Sequence, residues 1–302
     1  MTFAPPGHDS FELSAFGDEV ADGLDAQLAA LRGEDVRFLE VRAVSKTSVV
    51  DLPDEALDRI RERLAEAGVG VSAIASPVGK TPIHEDFGVE RRRLARAAEA
   101  ARRLGTAQIR VFSFFIPDGR YDAHRDEVLR RMAVLARDAG SRELTLVHEN
   151  ESYVYGDTPA RCRDLIEGVG SPALRLAFDP ANFVQVGVRP YAEAWPLLER
   201  YVAHVHVKDA VAVDRAGLAP YPAPVPHDRL MDAVRLPGEG AGELRPLLRA
   251  LAGRGYGGFL VIEPHLQRRL PDQDGPRRFG AAVASLRALL REEVAATIGR
   301  SD

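Results

Sequence analysis

Short apolar runs alternate with amphipathic stretches along almost the whole chain. Eight runs read as strands: 11–16 (FELSAF), 36–42 (VRFLEVR), 69–76 (VGVSAIAS), 107–113 (AQIRVFS), 143–149 (ELTLVHE), 173–179 (ALRLAFD), 202–208 (VAHVHVK) and 257–263 (GGFLVIE). Their Val, Ile, Leu and Phe content is that of strands buried on both faces. Between them, 51–67, 86–104, 122–139, 159–169, 190–200, 243–253 and 277–297 have helical spacing. Leu57, Ile60 and Leu64 form one stripe, Thr158-Pro159 makes an N-cap and first-turn proline, and Gly68, Gly105 and Gly140 follow helix ends. Strands alternating with helices imply a parallel sheet, and eight such units close most naturally into a single (β/α)8 TIM barrel with its active site at the C-terminal face of the strands. An open doubly wound sheet is disfavoured, because residues 17–22 (GDEVAD) offer no phosphate-binding glycine turn after the first strand.

Composition narrows the class. The chain has 302 residues, enough for one barrel domain over 1–302, with 45% hydrophobic residues and a net charge of −5 that argues against nucleic acid as the partner. One cysteine, Cys162, excludes an internal disulfide and a cysteine-built zinc site. The first ten residues resemble no leader and no stretch approaches 18 apolar residues, so a soluble cytoplasmic protein without a membrane partner is expected. The excess over a minimal barrel is mainly 210–237, with prolines at 220, 222, 224, 226 and 237. This proline-rich insertion follows the C-terminal end of strand seven, where a lid over the site is the favoured reading and a disordered excursion the other.

Strand ends hold the chemistry. Strand five ends in His148-Glu149-Asn150, strand six in Asp179, strand seven in His204-Val-His206-Val-Lys208-Asp209 and strand eight in Glu263-Pro264-His265. Four consecutive strands thus place Glu149, Asp179, His206 and Glu263 around one mouth. Three crowded carboxylates are costly without compensation, and a divalent cation supplies it. Three hard oxygens and one imidazole suit one Mn²⁺ as first choice, with Mg²⁺, Co²⁺ or Zn²⁺ as alternatives. His204 shares a strand face with His206 and reads as a core histidine one layer deeper; His148 should face away from the axis. His265 is placed to orient the loop beside Glu263.

These residues, with FDPANF at 178–183, the glycine turn PGEGAG at 237–242, GDEVADGLDAQLAAL at 17–31 and SPVGK at 76–80, resemble the xylose-isomerase-like barrel superfamily, in its sugar phosphate isomerase/epimerase branch. The resemblance runs from about residue 11 to 290. Its members include sugar isomerases and epimerases, hydroxypyruvate isomerase, inosose and dehydroshikimate dehydratases and, more distantly, endonuclease IV. It implies that the four matching positions bind one metal and that Glu149 and Glu263 double as catalytic acid–base groups. The implied reaction is isomerisation or epimerisation of a keto-sugar or related hydroxy-carbonyl compound by proton transfer through a metal-stabilised enediolate. A lyase, either a dehydratase or an eliminase on 3-keto-sugars, would use the same site. A repair nuclease would need more strand-end histidines and a more basic surface. A subunit that has lost turnover fits poorly with an intact ligand set.

The chain departs from the ketose epimerases at Asn182, where they carry a substrate-contacting histidine; an amide still hydrogen-bonds a hydroxyl but does not titrate near neutrality. The arginine those enzymes carry after strand seven has no clear counterpart, Arg215 being available. Of 40 basic residues only Lys46, Lys80 and Lys208 are lysines; Lys46 and Lys80 follow predicted strands and Lys208 ends one, all on the catalytic side. Lys208 and Lys80 are candidates for contact with substrate hydroxyls, a carboxylate or a phosphate; the other reading pairs Lys208 with Asp209 or a ligand carboxylate. Phe112, Phe114, Phe115, Tyr153 and Tyr155 could wall the site or pack in the core. The partner expected is a small carbohydrate-like substrate, and apolar helix faces allow a homo-oligomer.

Overall fold

A computed structural model describes residues 11–214, 216–217 and 224–298. Its eight main strands are β1 (Glu12–Phe16), β2 (Phe38–Val41), β3 (Gly70–Ala75), β4 (Gln108–Val111), β5 (Thr145–Glu149), β6 (Leu174–Phe178), β7 (Val202–Val207) and β8 (Phe259–Ile262). Each pairs in parallel with its neighbour in sequence, and β8 pairs back onto β1 with Ala15 opposite Ile262, closing the barrel. All eight lie within the runs read from the sequence, because a strand covered on both faces has no polar side to interrupt it.

The connecting helices are α1 (Leu24–Gly33), α2 (Asp54–Ala67), α3 (Phe87–Leu104), α4 (Tyr121–Gly140), α5 (Pro159–Val169), α6 (Pro180–Gln185), α7 (Trp195–Leu198), α8 (His227–Ala233), α9 (Leu244–Gly253) and α10 (Gly275–Ile298). Their termini follow local chemistry. Asp86 accepts the Gly88 N–H at 2.9 Å, Thr158 caps α5 through the Arg161 N–H, and Gly68, Gly105 and Gly170 end α2, α3 and α5 at positive φ. The helix expected over 190–200 is broken instead. A π-turn at Pro190–Ala194 passes into α7 and then a 3₁₀ turn at Glu199–Tyr201, since Pro196 has no N–H to continue the ladder.

Two apolar layers result. The larger fills the space between strands and helices, with Leu57, Met132, Leu165, Leu247 and Phe279 among its fully buried members. The smaller lies inside the barrel, where Phe16, Phe38, Ala75, Phe259 and Val261 cluster and the Phe38 and Phe259 rings meet edge-on at 4.9 Å. Charged side chains gather toward the C-terminal mouth, while the interior beside the plug also holds a buried Ser14–Ser72 hydroxyl pair at 2.7 Å. No helix among the described residues is long and apolar enough to cross a membrane.

The described part of the insertion is ordered. Asp209–Ala210 pairs antiparallel with Val234–Arg235, and α8 lies between them in sequence. Asp209 anchors the glycine turn beyond it, accepting backbone N–H bonds from Ala210, Gly238, Gly240 and Gly242 at 2.8–3.0 Å. A Cβ at Gly240 would stand 2.2 Å from Asp209 Oδ1, which is why the turn is glycine there. Removing the acceptor strands several buried donors at once. Asp209→Ala is therefore expected to lower the unfolding free energy by about 3 kcal/mol in urea titration; an unchanged midpoint would show that the turn holds without it.

Candidate metal centre

The barrel brings the four strand-end residues together. Glu149 is the last residue of β5, Asp179 follows β6 as the N-cap of α6, His206 lies in β7 and Glu263 follows β8. All four are buried, and one potential ligand atom from each lies within 4.8 Å of the others. Backbone ties fix them. The Asn150 amide donates to the Asp179 carbonyl at 2.8 Å and accepts the Asp179 N–H at 2.9 Å, clamping the ends of β5 and β6 together. Asp179 Oδ1 accepts the Asn182 N–H at 3.0 Å, and the Asn182 amide donates to Glu149 Oε1 at 3.0 Å. Asn182 thus spans two of the four.

Charge is the dominant feature. Arg110 Nη1 lies 3.2 Å from Glu149 Oε2, and Lys208 Nζ lies 2.7 Å from Asp179 Oδ2 and 3.3 Å from Glu263 Oε2. Arg42 donates to Glu263 Oε1 at 3.0 Å while also holding Asp18 and Glu19; His265 bridges Glu263 and Glu19 at 3.2 and 3.1 Å. The acidities follow. Burial works to raise Glu149, but His206 and Arg110 outweigh it and bring the carboxyl down to about 2. Burial likewise opposes ionisation of Glu263, yet Lys208, His265 and Arg42 hold it well below the usual carboxylate range. Asp179 goes the other way, to about 6, because burial and the neighbouring Glu149 and Glu263 exceed the pull of Lys208.

Beneath this layer lies a second cluster. Glu40 of β2 and His204 of β7 meet across the barrel interior, Glu40 Oε2 standing 2.6 Å from His204 Nε2 and 3.5 Å from His206 Nε2. His204 is the deeper core histidine expected of it. His148 faces away from the axis, bonding Ser113 Oγ at 2.9 Å, and burial lowers its pKa to about 4.

Above the four residues opens a cleft of about 440 Å³. Lys80, Lys208 and Asn182 all line it, as do Phe112, Phe115 and Tyr153; Phe114 is buried in the core instead, and Tyr155 bonds Asp164. Lys80 reaches Glu151 at 3.0 Å with its ammonium 4.6 Å above the Phe112 ring. Lys208 pairs with Asp179 and Glu263, not Asp209, while still facing the cleft. Lys46 breaks the expected grouping: its side chain is 77% exposed, pairs with Asp22 and does not border the cleft. Leu230, Met231, Val234 and His227 form the wall from α8 and its flank, and the Val225 N–H donates to Tyr153 Oη at 2.8 Å. Arg215 lies outside the described residues.

Glu19, Glu40, Arg42 and Arg110 escape sequence reasoning. Glu40 and Arg110 leave one trace, a single charge inside a mostly apolar strand (FLEV and QIRV).

The donor set fits a divalent cation. It offers three carboxylates and an imidazole, and both ring nitrogens of His206 are buried without a hydrogen bond, Nδ1 standing 3.5 Å from Glu149 Oε1 and 3.9 Å from Glu263 Oε2 and Nε2 3.5 Å from Glu40 Oε2. An eight-stranded parallel barrel is the fold of a known family that matches this chain over most of its length. The chain belongs to the xylose isomerase-like TIM barrel family, whose pattern matches residues 28–289. It is 32% identical over 234 residues, 75% of this chain and 76% of the other, to the 2-epi-5-epi-valiolone 7-phosphate 2-epimerase of Actinoplanes sp.. Two solved structures share the fold. The IOLI protein, determined with a zinc atom, superposes with a TM-score of 0.74 at 13% identity over 94% of this chain and 99% of that one. A Mycobacterium smegmatis family protein in complex with magnesium gives 0.65 at 19% identity over 97% and 98%.

The Asn150 clamp is the geometric support of the site that is testable without substrate. Asn150→Ala leaves the buried N–H and carbonyl of Asp179 unsatisfied, and is expected to cost about 2 kcal/mol of unfolding free energy in denaturant titration. A loss below about 0.5 kcal/mol, the range of ordinary surface substitutions, would show that the clamp is dispensable.

Proposed function

We propose that this chain is a divalent-metal-dependent epimerase or isomerase of a keto-sugar or related hydroxy-carbonyl compound, with Glu149, Asp179, His206 and Glu263 as metal ligands. The observation that supports it most is the buried four-residue donor set, whose imidazole makes no hydrogen bond and whose Glu149 and Glu263 line a cleft of about 440 Å³, a size suited to a small molecule. The epimerase name of the Actinoplanes relative agrees with the reaction class and points to phosphorylated valiolone-like ketones as compounds to try. The donor set suits Mn²⁺, Mg²⁺ or Co²⁺ and accepts Zn²⁺.

When bound, the cation would polarise the substrate carbonyl and so acidify the adjacent C–H. Proton transfer then falls to Glu149 and Glu263, which reach the site from β5 and β8 with β6 and β7 between them. Asn182 and Arg110 steady Glu149, while Arg42, His265 and Lys208 steady Glu263. One carboxylate removes the proton. Its return to the other face of the same carbon gives an epimer, and its return to the neighbouring carbon gives an isomer. Asn182, Lys208 and Lys80 are the proposed substrate contacts, supported by their place on the cleft wall. Residues 224–235 act as part of a lid, a reading supported by the Tyr153–Val225 bond and the apolar wall from α8.

The test begins with metal analysis of the purified chain, followed by a screen of ketoses, inososes, 3-keto-sugars and cyclic polyol ketones with and without phosphate, in D₂O with Mn²⁺. Deuterium entering recovered, ring-intact compound is expected; a new enone absorbance would favour the lyase. Glu149→Gln and Glu263→Gln should each lower kcat by about 10²–10⁴, the usual contribution of acid–base groups. Turnover untouched by both would overturn the mechanism. Lys208→Met should raise KM by a larger factor than it changes the metal bound per chain; unchanged kinetics would remove Lys208 from the substrate contacts.

A further inference from the structure

Glu40, His204 and His206 are each fully buried, and the four-residue reading gives only His206 a part to play. From their geometry we infer that Glu40 is a positioning residue: it fixes the orientation and tautomer of His206, so that Nδ1 is the nitrogen offered to the metal. This inference rests on the metal reading above and adds a residue to it.

The His206 ring has two nitrogens facing different partners. Nε2 lies 3.5 Å from Glu40 Oε2, while Nδ1 faces Glu149 Oε1 and Glu263 Oε2 at 3.5 and 3.9 Å. A metal-bound imidazole is neutral and carries one proton. With a carboxylate behind it, that proton belongs on Nε2 and the lone pair on Nδ1 points at the other donors. Metal-bound histidines are commonly held in this way, the distal N–H donated to a carboxylate that sets ring angle and basicity. Glu40 is held in turn by His204 Nε2 at 2.6 Å. The ring has little room to turn, since Phe16 meets it edge-on at 5.2 Å and His204 at 5.5 Å. Glu40, His204 and His206 could alternatively be taken as a second cation site, because they too offer three ligand atoms within 4.8 Å of one another. The 2.6 Å approach of Glu40 to His204 is a hydrogen-bond distance, and two ligands of one cation would stand further apart.

The test is metal affinity, read apart from catalysis. Apo-protein is titrated with Zn²⁺ against a chromophoric chelator, and with Co²⁺ while the visible spectrum is recorded. Glu40→Gln should weaken Zn²⁺ binding 10–100-fold and alter the Co²⁺ bands; His204→Gln, which keeps an N–H near the same place, should change affinity by less than about threefold, well short of that loss. Wild-type affinity and spectrum in Glu40→Gln, or two ions per wild-type chain, would overturn the inference. If Glu40→Gln does not fold, ¹⁵N-histidine NMR of the Zn²⁺-loaded wild type decides: Nε2 protonated with Nδ1 on the metal supports it, and the reverse tautomer overturns it. A wild type that binds no divalent ion would instead remove the metal reading itself, an outcome distinct from the failure of Glu40 alone.

Discussion

Four buried carboxylates inside one barrel are the constraint on which the site depends. Glu40, Glu149, Asp179 and Glu263 all lie within the mouth or just beneath it, and an uncompensated buried carboxylate costs several kcal/mol even after local relaxation. The surrounding sequence is arranged to answer that cost. Arg110 faces Glu149, Lys208 sits between Asp179 and Glu263, Arg42 and His265 hold Glu263, and His204 holds Glu40. Asp179, with the poorest share of positive charge, is the one whose acidity falls. On the proposed reading a divalent cation completes what these side chains begin, and the protein keeps its acids together because the reaction needs them there.

The barrel makes such crowding tolerable by separating its interior into two zones. Phe16, Phe38, Phe259 and Val261 plug the lower part, where the Ser14–Ser72 hydroxyl pair is uncharged, so charged groups face one another above it toward the C-terminal ends. Phe16 sits at the boundary, its ring against His206 on one side and the Arg42 guanidinium at 4.7 Å on another. An aromatic face suits a cation that is otherwise shared among carboxylates. Outside the barrel the Asp209 anchor fixes the PGEGAG turn, which leads directly into α9 and so sets the entry to β8 and Glu263.

Much of this was legible in the chain. Strands covered on both faces announce themselves as unbroken apolar runs, and the four mouth residues stood out because each lies at or near the end of such a run. What stayed hidden was pairing across the barrel. Nothing local to FLEV says that Glu40 will face a histidine 164 positions away, and nothing in QIRV says that Arg110 will face Glu149. Lys46 shows the converse error: following a strand on the catalytic side is not sufficient, because its backbone turns at positive φ and delivers the ammonium to Asp22 and solvent. The helix expected over 190–200 is present but irregular for a different reason, since apolar spacing continues through Pro196 while the regular hydrogen-bond ladder cannot.

The same division bears on specificity. The groups that would hold a metal and move a proton are locked into one another by hydrogen bonds and ion pairs, so changing any of them disturbs the rest. The walls of the cleft are not bound in this way. Phe112, Phe115, Leu230 and Met231 contribute shape, and Lys80 contributes a charge tied only to Glu151 at a partly exposed position. A family that keeps one chemistry while changing substrates would vary those walls and leave the floor alone. The scarcity of lysine then has a physical sense at two of three positions: Lys208 serves the floor, where a compact ammonium fits between two carboxylates, and Lys80 serves the wall, where a flexible one can reach.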